Sequence, residues 1–266
     1  MKVICCQFNV AWEDKLANYA KVRSMLEASK ITPGSLVILP EMFSTGFSMN
    51  VPAIREGSPS KTESFLSACA QDHEIFVLAG LVTAASDGRG RNEAVVFTPK
   101  GTLLSRYSKI YPFTFGGESD HYVAGTEVVS FLWHEFVVAP FICYDLRFPE
   151  VFRKAAIRGA HLFVIIANWA AKRENHWVTL LRARAIENQA YVVGVNRCGN
   201  DPEIAYSGRS LIVDPLGEIL ADAGDKDCLV SAEIELPKVM VWRNEFPALK
   251  DMRQEYLNGK VEQSAT

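Results

Sequence analysis

The chain repeats itself once, and that repeat limits its fold more than any other feature. The apolar run 162–168 (LFVIIAN) follows the pattern of 36–41 (LVILPE). The helix-patterned stretch 177–189 and the strand-like 190–195 (AYVVGV) follow the pattern of 60–73 and 74–82. Residues 211–220 (LIVDPLGEIL) and 95–104 (VVFTPKGTLL) each read as a hairpin around a Pro-x-Gly turn. The matching segments lie about 116–126 positions apart, too far for a solenoid repeat. Each half reads β-α-β-β. Two such halves bury their sheets by stacking them face to face, with helices outside. The expected fold is therefore α/β: a four-layer α-β-β-α sandwich with two stacked mixed sheets.

Other segments fit this plan. Residues 2–8 read as a first strand and 102–108 as the return strand of the first hairpin. Leu16, Ala20, Met25 and Leu26 recur at near-helical spacing, which predicts an amphipathic helix over 13–29. The continuous apolar run 35–41 suits a strand buried on both faces. No Ser/Gly/Pro-rich linker divides the chain, so residues 1–245 are expected to form one domain. The polar residues 246–266 are expected to form a tail, frayed or packed on a partner subunit.

Composition narrows the function classes. The net charge is −3, with no long run of like charge, so neither nucleic acid nor an anionic membrane is an expected partner. The N-terminal apolar run is too short for a signal peptide, and no stretch is long enough to span a bilayer. A cytoplasmic location follows as the expectation. The six cysteines form no CxxC pair, which argues against a zinc site and against a redox pair. Most of them read as reduced, buried small hydrophobes.

Chemistry in α/β proteins gathers where strands end. Glu41 closes the run 35–41, Lys109 follows 102–108, and Cys143 closes an apolar run and opens the polar YDLRFPE. Each has a plain alternative: an inert core thiol, a solvated loop carboxylate and a surface lysine. Apolar flanks would leave Glu41 and Lys109 partly buried, where each needs a partner. One pocket holding all three satisfies that need.

Segments 39–47 (LPEMFSTGF), 106–113 (RYSKIYPF) and 142–150 (ICYDLRFPE) resemble the Glu, Lys and Cys motifs of the nitrilase-like carbon–nitrogen hydrolases. The resemblance covers roughly residues 1–245. It implies an α-β-β-α sandwich that assembles as a homodimer or homotetramer, with no cofactor and no metal. It also implies a catalytic Cys143, a general base Glu41, a cation Lys109 at the oxyanion, and a second carboxylate, Glu118. Segments 41–47, 113–119 and 168–189 are similar to the ω-amidase branch, which hydrolyses the terminal amide of 2-oxo acids such as 2-oxoglutaramate. Other readings are a nitrilase, an N-carbamoyl amidase, an acyl transferase, a non-catalytic binding protein on the same fold, or a redox sensor.

These residue types permit acyl transfer through a thioester, with the backbone N–H of Tyr144 beside Lys109 at the oxyanion. The guanidinium of Arg147 suits the distal carboxylate of such a substrate, or else pairs with Glu150. Trp169, Phe43 and Phe115 are candidate pocket walls, or core. Among the five histidines, His176 is the one expected to approach the pocket, or to sit at the surface.

Overall fold

In the computed structural model, which describes residues 1–253, both halves take the same course. The first half contains β1 (Lys2–Gln7), α1 (Lys15–Glu27), β2 (Leu36–Ile38) and the single-turn α2 (Val51–Ile54). It continues with α3 (Lys61–Asp72), β3 (Phe76–Ala84), β4 (Gly90–Phe97) and β5 (Leu103–Ser108). A short α4 (Glu118–His121) and β6 (Phe131–Trp133) lead to β7 (Phe136–Ile142), α5 (Pro149–Ile157) and β8 (Leu162–Ala167). Next come α6 (Glu174–Asn188), β9 (Tyr191–Asn196) and a separate hairpin of β10 (Cys198–Asn200) and β11 (Ala205–Ser207). The chain then forms β12 (Leu211–Val213), β13 (Ile219–Asp222), β14 (Cys228–Glu233) and α7 (Leu236–Glu245).

The strands form two six-stranded sheets, ordered β14-β1-β2-β3-β4-β5 and β13-β12-β9-β8-β7-β6. In the first, β1, β2 and β3 are parallel, while β4 and β5 return antiparallel. In the second, β7, β8 and β9 are parallel, while β12 and β13 return antiparallel. The expected pairs of segments thus become β2 with β8, β3 with β9, and the hairpin β4–β5 with β12–β13. The order also pairs β1 with β7.

Side chains alternate across the first sheet as strand geometry requires. Val3, Cys5, Leu36, Ile38, Leu78 and Tyr107 join the core shared with the second sheet. Ile4, Cys6, Val37, Val77 and Val95 face outward, where Val22 and Leu26 of α1 and Phe65 and Leu66 of α3 cover them. Phe152 of α5 and Trp177 and Leu181 of α6 belong to the core of the second sheet. The architecture is the expected four-layer sandwich.

Helix α1 starts where Asp14 Oδ1 accepts from the Ala17 N–H at 3.0 Å, a side-chain cap. Its buried face differs from the expected one. Asn18, Val22 and Leu26 are buried, whereas Leu16 is 76% exposed. Asn18 is satisfied by loops: its Nδ2 donates to Ala11 O and Ser44 O, both at 2.8 Å. Two loop carbonyls outweighed hydrophobic periodicity. Of the expected tail 246–266, residues Ala248–Asp251 form a 3-10 turn. Residues 254–266 of that tail lie outside the described residues.

Candidate active site

Glu41 follows β2 by three residues. Its backbone lies against Gly80 of β3, where an added Cβ would sit 2.6 Å from Glu41 Cα and 2.5 Å from Met42 N. Only glycine leaves room for that approach. Met42 then takes a left-handed φ of 44°, which reverses the chain after the carboxylate. Lys109 follows β5 directly, and its N–H bonds Asn92 O of β4 at 2.9 Å. Glu118 opens α4. Cys143 follows β7 with φ 47°, so the nucleophile candidate sits on a sharp elbow.

Glu41, Lys109 and Glu118 meet in the interior, each at most 1% exposed. Lys109 Nζ donates to Glu41 Oε1 at 3.0 Å and to Glu118 Oε2 at 2.7 Å. Asn92 Nδ2 links the same carboxylates, at 2.7 Å to Glu41 Oε1 and 2.8 Å to Glu118 Oε1. The Phe113 N–H holds Glu118 Oε2 at 2.6 Å. From the second sheet, the Asn168 N–H donates to Glu41 Oε2 at 2.8 Å. The ammonium also lies 5.3 Å from the centre of the Phe47 ring.

Charge sets the protonation states. Burial opposes the Lys109 ammonium, but Glu118, Glu41 and Cys143 outweigh it and raise its pKa. Burial raises the Cys143 thiol well above its ordinary value, and Glu41 adds to this, while Lys109 and the Asn168 N–H work against it. A thiolate would add a further negative charge beside two carboxylates and one ammonium. At rest Cys143 is therefore a thiol, and it needs a base to become a nucleophile. Cys143 is half-buried, whereas Cys5, Cys6, Cys69 and Cys198 are buried.

A cavity of about 580 Å³ opens beside Cys143. Tyr144, Arg147, Asn168, Trp169, Phe47 and Phe113 help to line it. The Arg147 guanidinium carbon lies 4.7 Å from the Trp169 ring centre, and Nη2 lies 3.3 Å from His176 Nδ1. Burial and the nearby Arg173 cation depress its pKa. Among the described residues Arg147 forms no ion pair; Glu150 instead accepts from the Tyr111 hydroxyl at 2.9 Å. Phe115 lies on the cavity rim and is 82% exposed. His176 is exposed and reaches the site only through Arg147.

Phe43 does not belong to the wall. It is buried on the outer face of the first sheet, with ring centres 6.2 Å from both Tyr19 and Phe65. Phe47 lines the cavity in its stead, because the reversal at Met42 turns Phe43 away. Sequence reasoning also missed Asn92 and the role of Asn168. A signal for Asn168 existed: it closes the run 162–168 as Glu41 closes 35–41.

The carbon–nitrogen hydrolase family model matches residues 2–244. A 2-oxoglutaramate amidase of Bacillus subtilis is 31% identical over 95% of this chain and 98% of its own. The omega-amidase YafV of Yersinia enterocolitica is 38% identical over 94% of this chain and 96% of its own. Among solved structures, the CN-hydrolase superfamily protein XC1258 of Xanthomonas campestris superposes with a TM-score of 0.87 at 30% identity. That match covers 100% of this chain and 99% of the other. The chain belongs to the carbon–nitrogen hydrolase family, in the ω-amidase branch of the nitrilase superfamily, and is an amidase acting on C–N bonds other than peptide bonds.

Proposed function

We propose that the protein is an ω-amidase that releases ammonia from the terminal amide of 2-oxo acids such as 2-oxoglutaramate, through a thioester on Cys143. Glu41 takes the thiol proton as Sγ attacks the amide carbon. Lys109 Nζ and the Tyr144 N–H face the oxyanion; one such donor is worth roughly 3–4 kcal/mol of barrier. The tetrahedral species collapses, Glu41 returns its proton to the leaving nitrogen, and ammonia departs. Water then attacks the thioester with Glu41 again as base. The acid leaves and Cys143 regains its proton. Glu118 orients Lys109 and touches no reacting atom.

One observation carries the choice of substrate: the Arg147 guanidinium, stacked on Trp169, lines the cavity that holds Cys143 without a carboxylate of its own among the described residues. A partly desolvated guanidinium favours a planar anion that binds through two hydrogen bonds. The carboxylate of an ω-amide supplies one at the end remote from the amide. Two relatives named for this chemistry support the same reading.

The test is ammonia release from 2-oxoglutaramate, 2-oxosuccinamate, glutamine, a simple nitrile and an N-carbamoyl amino acid. The 2-oxo-acid amides should be the best substrates. A specificity constant highest for the nitrile or the carbamoyl compound would overturn the proposal.

A further inference from the structure

Asp145 is fully buried two residues past Cys143, and no step of the proposed reaction uses it. Its Oδ2 accepts from the Ile142 N–H at 2.9 Å, the residue just before the nucleophile. The same oxygen accepts from the Tyr107 hydroxyl at 2.7 Å. Its Oδ1 accepts from the Tyr111 N–H at 2.9 Å. Tyr107 stands two residues before Lys109 and Tyr111 two residues after it. One carboxylate thus grips the lysine segment on both sides and the elbow at its base.

The donor set needs a carboxylate. Three donors converge on two oxygens, and an ionised carboxylate has only acceptors to offer them. An asparagine at 145 would turn an NH2 group toward at least one N–H or O–H. Elsewhere the segments approach from different sheets: β5 belongs to the first and β7 to the second. We propose that Asp145 is a positioning residue that sets the spacing between Cys143 and Lys109, and with it the rate of the acyl-transfer chemistry, without contributing to substrate capture. This rests on the reading of Cys143 as nucleophile and Lys109 as oxyanion cation.

Asp145→Asn and Tyr107→Phe in the full chain test it, with kcat and KM for 2-oxoglutaramate measured per folded molecule and thermal midpoints measured alongside. Asp145→Asn should lower kcat about 100-fold, the scale of a 1 Å misplacement, and leave KM within about threefold. Tyr107→Phe, which removes one donor and no charge, should lower kcat less, again at constant KM. Should Asp145→Asn fail to fold, Tyr107→Phe decides alone. A reduced thermal midpoint with unchanged kcat would make Asp145 a structural tie only, and a raised KM with unchanged kcat would assign it to capture; either overturns the proposal. Turnover retained by Cys143→Ala is a separate failure, that of the nucleophile assignment.

Discussion

Asn168 holds Glu41 by three hydrogen bonds: its backbone N–H meets Oε2 at 2.8 Å, and its Nδ2 meets the Glu41 carbonyl oxygen at 2.7 Å and Oε2 at 3.3 Å. The two residues close the matching central strands β8 and β2, so the internal repeat meets itself at the proposed base. The second half thereby aims the carboxylate that the first half supplies. It leaves Oε1 of Glu41 to Lys109 and Asn92.

The first prediction separates thiol ionisation from turnover. Glu41 helps to raise the Cys143 thiol. Glu41→Gln removes that charge, so iodoacetamide should alkylate Cys143 faster at neutral pH. Turnover should fall about 100-fold or more, the usual scale for a lost general base. Alkylation that slows in step with turnover would refute the electrostatic account.

A second concerns the buried charges. Lys109→Met leaves Glu41 and Glu118 without their ammonium, which typically costs about 3–5 kcal/mol in chemical denaturation. Adding Glu118→Gln to Lys109→Met should recover part of that stability, because one uncompensated charge is gone. Neither protein should turn over amide. Strictly additive losses would mean that the lysine and the two carboxylates are not energetically coupled.

Substrate selectivity should follow Arg147. Arg147→Ala should cost 2-oxoglutaramate on the order of 2–5 kcal/mol, the scale for losing one partner of a buried charge pair. That is roughly 30- to 5000-fold in kcat/KM. A neutral amide of equal length should lose far less. Equal losses on both would reject the carboxylate-binding role.

Acid should move stability and activity in opposite directions at Asp145. Burial pushes its carboxyl up to about 6, against the pull of Tyr107, Ile142, Lys109 and Tyr111. As pH falls from about 6 to about 4, the folded state binds this proton before the unfolded chain does. This group's destabilisation, about 3 kcal/mol for a two-unit shift, is therefore complete above pH 6 and relieved below it. The stability of wild type relative to Asp145→Asn should rise between pH 7 and pH 5. Wild-type kcat should fall over the same range, as the protonated carboxyl loses acceptor capacity. A stability difference flat in pH would reject the raised carboxyl.

Local pattern reveals some of this site and hides the rest for physical reasons. Glu41 and Cys143 each close an apolar run and Lys109 follows the return strand of a hairpin, and the period of a strand makes such ends visible. The half-chain repeat likewise exposed the two stacked sheets. Phe43, open in sequence between wall and core, falls in the core because the left-handed Met42 reverses the chain there. Leu16 was misplaced because a buried asparagine serving loop carbonyls looks polar in any periodicity. Asn92 lies inside a strand, and only the folded sheet shows that its amide joins two carboxylates. The three donors on Asp145 come from positions up to 38 residues away, beyond any local signal.

The two sheets also divide the chemistry. Glu41, Asn92, Lys109 and Glu118 all precede the second sheet, whereas Cys143 and Asn168 are carried on it. A growing chain therefore carries the proposed base and cation before the proposed nucleophile is made. Pairing of β1 with β14 further ties the first strand to one of the last synthesised. No part of the chain short of both halves therefore holds the whole of the proposed site.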